Sequence, residues 1–202
     1  YDKPIPMQSN INILGHFPIH VSKTDEPNAQ GAQEIVNALY GKPYSITQKV
    51  DGTSFTAWKD DDGKCHIASR NYELDIKNGG FYSEMFAKYD LARILENGLT
   101  IQAEIAGVGI QNNPMGLPDR QIFVFNAFKN NKELDCNTLG IQTVKTIEKG
   151  SLFKYSIDDL RTLANHKYDN GHLAEGIVVR ATNGYFNNGK RISFKVINLD
   201  YK

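Results

Sequence analysis

Short runs typical of β-strands, separated by tight-turn signals, constrain the fold of this chain more than any other feature. The first two runs, 44–50 and 53–60, are separated by Asp51-Gly52. An Asp-Gly pair between two strand patterns is typical of a β-hairpin, so these runs are expected to be partner strands. The other runs lie at 65–70, 99–107, 121–129, 175–182 and 192–198, with further turn signals at 61–64 and 130–132.

Three stretches have the spacing of apolar residues that favours helices. The first, 32–42, is expected to stop at Gly41, and the second, 81–97, to end at Gly98. The third, 156–166, begins with Ser156, followed three residues later by Asp159, which is typical of a capped helix N-terminus.

Hairpin-like strands mixed with three helices predict an α+β fold with antiparallel sheets. The strand–helix alternation of a parallel sheet is absent from the sequence. No GxxxxGK[ST] phosphate loop is present, and GVGIQN (107–112) does not complete GxGxxG. If the chain binds a nucleotide, it is expected to do so without either of these glycine-rich phosphate loops.

Charge and cysteine content narrow the class of protein. Lys+Arg and Asp+Glu both number 23, so the formal charge is zero, which argues against a protein that coats DNA by charge alone but permits a local basic groove. The two cysteines, Cys65 and Cys136, are far apart and predict neither a zinc site nor a disulfide framework. A reducing, intracellular location, cytoplasmic or nuclear, is therefore expected. No apolar run approaches 18 residues, so no membrane partner is expected.

The chain is expected to form a single domain over residues 1–202. Residues 1–30 contain four prolines and little periodicity, which predicts an irregular lead-in. Because the chain starts at Tyr1 in loop-like sequence, it is interpreted as a fragment of a longer protein.

The sequence KVDG (49–52) supplies the first candidate for chemistry. Lys49 stands at the end of a strand run, and the Asp51-Gly52 pair is expected to hold it rigidly. A lysine amine attacks as a nucleophile only after it has lost its proton, so such a site needs burial or neighbouring positive charge. The alternative is an exposed lysine beside a hairpin turn, because Lys-x-Asp-Gly arises by chance in roughly a few per cent of chains this long.

Two carboxylates stand in apolar strand runs. Glu104 lies within QAEIAG (102–107), and Glu175 opens EGIVVR (175–180). Buried carboxylates are rare unless they are paired, hydrogen-bonded or metal-bound, which makes both candidates for a site. Strand alternation leaves open the alternative that Glu104 faces solvent.

Three more side chains have suitable chemistry. Arg70, in SRN (69–71), offers a guanidinium that can grip a phosphate, or can instead form a surface ion pair. Phe125 can stack on a purine base, but a phenylalanine in a strand is more often part of a core. Lys195 stands between apolar residues, and a buried lysine needs a partner such as a phosphate oxygen.

In this order, the motifs resemble those of the covalent nucleotidyltransferases, the polynucleotide ligases and mRNA capping enzymes, over residues 49 to 198. Longer stretches resemble a bacterial and eukaryotic branch of ATP-dependent RNA ligases, which carries an OB-like domain ahead of the nucleotidyltransferase domain and seals RNA ends at nicks. These stretches are FPIHVSKTDEPNAQ (17–30), ASRNYEL (68–74), EIAGVGIQNNPMGL (104–117) and SFKVIN (193–198).

The resemblance implies a nucleotidyltransferase (ATP-grasp-like) fold, in which antiparallel sheets flanked by helices enclose the nucleotide pocket. It implies an OB-like domain before Tyr1. It also implies an enzyme that uses ATP and Mg²⁺ (or Mn²⁺) to form a covalent lysyl-AMP, adenylates a 5′-phosphate RNA end and joins it to a 3′-OH end. The expected partners are RNA ends, as in a nicked duplex, and the expected state is a monomer.

The resemblance also implies roles for individual residues. Glu104 would accept a hydrogen bond from the ribose, Phe125 would stack on adenine, and Arg70 would contact phosphate or the RNA end. Glu175 and Glu104 would hold the metal directly or through its water shell. The implied catalytic residues are Lys49 as nucleophile, Asp51, Lys195 and Glu175, and the implied nucleotide contacts are Lys49, Gly52, Arg70, Glu104, Phe125, Glu175, Lys195 and Gln48.

The last motif departs from the pattern of many ligases, which have two lysines separated by one residue. Ser193 holds the first of those places here, and Lys190 or Arg191 is expected to supply the missing charge. A GTP-using capping enzyme or a DNA ligase remains an alternative within the same class. A catalytically silent RNA-binding module and an unrelated α+β binding domain are the alternatives outside it.

Overall fold

The structure is a computed structural model. It describes residues 11–21, 23, 25–130, 132–182, 186–187 and 190–201, with only the backbone described at 186, 187 and 190. The strands are β1 Ile13–His16, β2 Tyr44–Gln48, β3 Thr53–Lys59, β4 Cys65–Ala68, β5 Tyr72–Leu74, β6 Leu99–Ala106, β7 Gln121–Lys129, β8 Lys132–Glu133, β9 Thr146–Gly150, β10 Gly176–Ala181, β11 Phe186–Asn187, β12 Lys190–Arg191 and β13 Ser193–Ile197. The helices are α1 Gln33–Leu39, α2 Phe81–Lys88, α3 Leu91–Ile94 and α4 Ile157–Ala164.

The chain divides into two compact units, with boundaries after residues 24, 51 and 143. Unit 1 contains residues 1–24 and 52–143, and unit 2 contains residues 25–51 and 144–202. All strand pairings between the named strands are antiparallel, which confirms the predicted α+β class with antiparallel sheets.

Unit 1 is a seven-stranded sheet in the order β1-β5-β4-β3-β6-β7-β8. One face is apolar and packs against α2 and α3, whose buried side chains include Phe81, Tyr82 and Leu91. The opposite face carries a polar row, because Thr56 pairs with Gln102 and Gln102 with Asn126. All three of these polar side chains are buried.

Unit 2 is a four-stranded sheet in the order β13-β10-β2-β9. Its apolar face packs against α1 and α4 through Val36, Leu39 and Leu160, among others. The capping box predicted at the start of α4 is confirmed: the Ser156 hydroxyl accepts from the Asp159 N–H, and the Asp159 carboxylate accepts from the Ser156 N–H.

The predicted hairpin across Asp51-Gly52 is wrong. β2 pairs with β10 and β9, whereas β3 pairs with β4 and β6, so the two strands belong to different sheets. Gly52 is required for a close approach instead of a hairpin turn. A Cβ at this position would lie 2.4 Å from the carbonyl oxygen of Ile105.

The single helix predicted over 81–97 is also wrong. The helix is interrupted after Lys88, and Asp90 has a left-handed backbone with φ 49°. Aspartate tolerates this conformation better than most residues, and the apolar spacing continues on both sides of the break. The second helix ends at Ile94, because Leu95 is already extended.

Several strands fall where no strand was predicted. β1 lies within the stretch expected to be an irregular lead-in, of which residues 1–10 are outside the described part of the chain. β9 is an edge strand with mostly exposed side chains, so it lacks the apolar alternation that identifies a half-buried strand. Among the described residues, no helix is both long and apolar enough to cross a membrane.

Candidate active site

Lys49 and Glu175 form the centre of the candidate site in unit 2. Lys49 follows the last residue of β2, and its ammonium nitrogen lies 2.7 Å from Oε2 of Glu175, the residue before β10. The two side chains are 19% and 10% exposed, so the pair is largely screened from solvent but still reachable. An amine held by a carboxylate in such a place has a defined direction and a nearby group that can accept its proton.

Strand register places Lys195 on the same face of the unit 2 sheet as Lys49. Val178 of β10 pairs with Thr47 on one side and Lys195 on the other, so the side chains of these residues share a face. Lys49 follows Thr47 by two residues and belongs to that face by alternation. This face therefore carries both predicted lysines, while the opposite face is the apolar core.

Gly176 fixes the backbone between Glu175 and the sheet. Its carbonyl accepts a hydrogen bond of 2.8 Å from the Lys49 N–H. Its φ is +145°, and a Cβ here would lie 2.1 Å from the carbonyl oxygen of Val196. Only glycine meets both requirements without strain, which explains the Glu-Gly pair that opens this strand.

Two tyrosines that the sequence did not single out contact the same segment. The Tyr168 hydroxyl donates to the Lys49 carbonyl at 2.9 Å and accepts from the N–H groups of Asp51 at 3.2 Å and Glu175 at 3.3 Å. The Tyr201 hydroxyl donates to Oδ2 of Asp51 at 2.5 Å. Burial raises the pKa of Tyr168 to about 12, and burial followed by the hydrogen bond to Asp51 raises the pKa of Tyr201.

Arg180 is a further cation on the Lys195 face, and the sequence analysis missed it. It pairs in register with Ser193, and its guanidinium lies 2.6 Å from Oε1 of Glu26. The Ser193 hydroxyl donates to the same oxygen at 3.4 Å. Of the two residues expected to supply charge here, Arg191 donates through Nε to the carbonyl of Ala181 at 3.1 Å, and the Lys190 side chain lies outside the described part.

Glu104 lies in unit 1, on the polar face of the sheet. It pairs with Ser54 of β3 and Phe123 of β7, and its Oε2 would be 3.2 Å from a Cβ on Gly52. The carboxylate is therefore beside the glycine of the KVDG motif. Burial raises the pKa of Tyr82, and the charge of Glu104 raises it further.

Phe125 occupies a β-bulge in β7. Asn126 pairs with Gln102, but Val124 pairs with the next residue, Ala103, so Phe125 is the extra residue of the bulge. It is only half-buried, whereas its neighbours on both sides are buried. Bulges redirect side chains and are over-represented beside active sites, which sets Phe125 apart from an ordinary core phenylalanine.

Arg70 and Gln48 have different surroundings. Arg70 is exposed in the turn between β4 and β5, where the Ser69 hydroxyl both donates to the Tyr72 carbonyl and accepts from its N–H. Gln48 is buried and pairs with Ile177, a residue of the apolar core, so register assigns it to the face opposite Lys195. Their predicted nucleotide contacts stay predictions.

Glu175 and Glu104 were predicted to bind a magnesium or manganese ion, and each has suitable ligand chemistry. In the described part of the chain, no three His, Cys, Asp or Glu side chains are grouped closely enough to hold a metal ion. Mg²⁺ usually binds one or two carboxylates and completes its coordination with water and substrate phosphates. Glu175 in unit 2 and Glu104 in unit 1 each offer hard oxygen donors of this kind, and their joint role as metal ligands stays a prediction.

Comparison with solved structures shows what the fold resembles. Naegleria gruberi RNA ligase, solved as a lysine-to-alanine variant with ATP and Mn, has a TM-score of 0.85 and 24% identity over 98% of this chain and 61% of that chain. The same protein with PPi gives a TM-score of 0.82 and 24% identity over 98% of this chain and 62% of that one. A lysine-to-methionine variant with AMP and Mn gives 0.80 and 24% identity over 93% and 59%.

This chain thus spans about 60% of the length of those solved proteins, and at such identities the likeness establishes the fold. No curated protein matches the sequence significantly. A family model described as RNA ligase matches residues 42–197, which include the Lys49–Glu175 pair, Glu104, Phe125 and Lys195. Because that match covers well over half of the sequence, the chain belongs to the RNA ligase family.

Proposed function

We propose that this chain carries the adenylyltransferase activity of an ATP-dependent RNA ligase with a nucleotidyltransferase fold, and that Lys49 is its nucleophile. The observation that carries the proposal is the 2.7 Å pair between Lys49 and Glu175, within the segment that the RNA ligase family model matches. A partly screened lysine, aligned by a carboxylate, is the group that covalent transfer of AMP requires.

In the first step, Lys49 Nζ attacks the α-phosphorus of ATP. A nitrogen–phosphorus bond forms, the bond to the β-phosphate oxygen breaks, and pyrophosphate leaves with its electron pair. The ammonium proton must go before attack, and the Glu175 carboxylate at 2.7 Å is placed to accept it. The product is a lysyl-AMP phosphoramidate.

Charge neutralisation is the main requirement of phosphoryl transfer. Lys195 shares a sheet face with Lys49, so its ammonium serves as a counter-charge for the α-phosphate. Glu175 and Glu104 would hold Mg²⁺ or Mn²⁺, directly or through water, and the ion would supply further positive charge at the phosphates. The N. gruberi structures with ATP or AMP and Mn support this choice of nucleotide and metal.

The residues of unit 1 are assigned to nucleotide and RNA recognition. Glu104 accepts a hydrogen bond from the ribose, and its place beside Gly52 supports that role. Phe125 stacks on adenine, which its bulged, half-buried position supports. Arg70 contacts phosphate or the RNA end, and its exposure permits that contact.

In the later steps AMP passes from Lys49 to an RNA 5′-phosphate, and a 3′-OH end then displaces AMP to form the new phosphodiester bond. The substrate is an RNA nick in a repair reaction, and the protein acts as a monomer. Membership of the RNA ligase family supports RNA as the substrate.

The test incubates the chain with ATP labelled at the α-phosphate and Mg²⁺, then separates protein under denaturing conditions. We expect covalent label on the wild type and none on Lys49→Ala. Lys154→Ala, which removes an exposed lysine elsewhere in unit 2, is the matched control and should label normally. Equal labelling of Lys49→Ala would refute the assignment, and stronger labelling from GTP would move the chain to the capping enzymes.

A further inference from the structure

The Tyr168 hydroxyl is the common partner of the two backbone segments that carry Lys49 and Glu175. It donates its only proton to the Lys49 carbonyl and accepts from the N–H groups of Asp51 and Glu175, at 2.9, 3.2 and 3.3 Å. A phenol has one donor and two acceptor positions, so this hydroxyl is fully used, and every partner is a backbone atom.

The hydrogen bonds of Tyr168 hold residues that do not belong to any strand. β2 ends at Gln48, and β10 begins at Gly176, so Lys49, Asp51 and Glu175 all lie outside the strands. The Lys49 N–H donates to the Gly176 carbonyl. The Lys49 carbonyl and the Asp51 N–H instead form hydrogen bonds with the Tyr168 hydroxyl. Tyr168 is 3% exposed, so water does not substitute readily for its hydroxyl.

Tyr168 itself is held by a short, local structure. Its N–H donates to the His172 carbonyl at 2.8 Å, its carbonyl accepts from the Gly171 N–H at 2.9 Å, and Lys167 forms a bridge with Leu173. The phenol keeps its proton throughout the neutral range, because burial raises the pKa of Tyr168 to about 12. It is therefore a permanent donor to Lys49 and not a proton carrier in the reaction.

Tyr201 holds the same segment through the side chain of Asp51. Its hydroxyl donates to Oδ2 of Asp51 at 2.5 Å, and Asp51 is 5% exposed. A charge-assisted hydrogen bond of this length is among the stronger ones in proteins. The Tyr168 hydroxyl thus fixes the backbone of residues 49–51, and the Tyr201 hydroxyl fixes the Asp51 carboxylate.

We propose that Tyr168 and Tyr201 are positioning residues for lysine adenylylation: together they fix residues 49–51 against Glu175, so that the Lys49 amine is aligned for in-line attack. This inference rests on the proposed function. Neither hydroxyl contacts the reacting atoms in this scheme, so their loss slows the chemical step without weakening nucleotide binding.

The test measures single-turnover formation of lysyl-AMP as a function of ATP concentration in the wild-type chain and in Tyr168→Phe. We expect the saturating rate to fall about tenfold to a hundredfold, as for comparable misplacement of reacting groups, with half-saturation by ATP unchanged within about twofold. Tyr155→Phe is the control, since it also removes a half-buried hydroxyl of unit 2, one that donates to Glu148 instead. It should keep the wild-type rate.

A merely structural role predicts a different result. In that case Tyr168→Phe lowers stability in urea, but the saturating rate per folded molecule equals that of the wild type, and this outcome would overturn the inference. If Tyr168→Phe does not fold, Tyr201→Phe decides: a fall of about tenfold at unchanged half-saturation supports the proposal, and a wild-type rate rejects it.

The failure of the proposed function is distinguishable from the failure of this inference. A wild-type chain that forms no lysyl-AMP refutes the proposed function, and the positioning role with it. A wild-type chain that labels normally, with a variant that labels equally fast, refutes the positioning role alone.

Discussion

Gly176→Ala gives a quantitative test of how the backbone beside Glu175 is built. Two penalties combine at this position. A non-glycine residue at φ +145° is strained, at about 1–3 kcal/mol. The new methyl group would lie 2.1 Å from the Val196 carbonyl oxygen, and overpacking of that kind typically costs about 1–3 kcal/mol more.

The sum is a loss of about 2–6 kcal/mol in the free energy of unfolding, which in a chain of this size corresponds to a Tm lower by roughly 5–20 °C. Gly171→Ala separates the two contributions. Gly171 also has a positive φ, +85°, but a Cβ there would meet nothing within 4 Å. Gly171→Ala should therefore lower the free energy of unfolding by only about 1–2 kcal/mol, through backbone strain.

The assay is urea unfolding followed by circular dichroism, together with lysyl-AMP formation at a temperature where both variants are folded. Gly176→Ala should also label more slowly, because any relief of the contact shifts the peptide that joins Glu175 to β10. If the two variants lose equal stability, the close approach to Val196 does not exist in solution and the reasoning fails.

Three further predictions follow from the site. Glu175→Ala and Lys195→Ala should lose nearly all lysyl-AMP formation, because each removes a charge used in the transition state; near-normal labelling of either, measured at saturating ATP, would contradict its role. Phe125→Ala should raise the ATP concentration for half-saturation about tenfold with little change in the saturating rate, since base stacking contributes about 1–3 kcal/mol; unchanged half-saturation in a folded variant would reject the stacking role. Because burial raises the pKa of Tyr168 from 10.0 to about 12, its folded state favours the protonated phenol, so this contribution to stability is complete below pH 10 and is lost between pH 10 and 12. The stability advantage of wild type over Tyr168→Phe, from urea titrations at each pH, should shrink across that window, and a constant difference would count against the burial of the phenol.

Local patterns predicted the elements that depend on local interactions. Strand-like runs separated by turn signals predicted β2, β3, β4, β6, β7, β10 and β13, and the Ser156–Asp159 pattern predicted the start of α4. The pairing of β2 with β10 was beyond such reasoning, because Ile46 and Val179 meet across more than half of the chain. The Asp51-Gly52 signal is the same for a hairpin turn and for a link between two sheets, so the hairpin prediction failed there.

Some residues of the candidate site could be predicted because their local sequence is distinctive. Lys49 and Glu175 have distinctive neighbours in the sequence, and the structure brings them together. Tyr168 stands in a turn without periodicity and acts only through backbone atoms, so nothing in its local sequence identifies it. Arg180 becomes noticeable only once register places it opposite Ser193.

The most direct test of the central claim is the position of the covalent AMP. The chain is incubated with ATP and Mg²⁺, digested under conditions that preserve the phosphoramidate, and its peptides are sequenced by mass spectrometry. We predict a single AMP adduct, on Lys49. An adduct on another lysine, such as Lys195, or the absence of any adduct after incubation with ATP, would contradict the account.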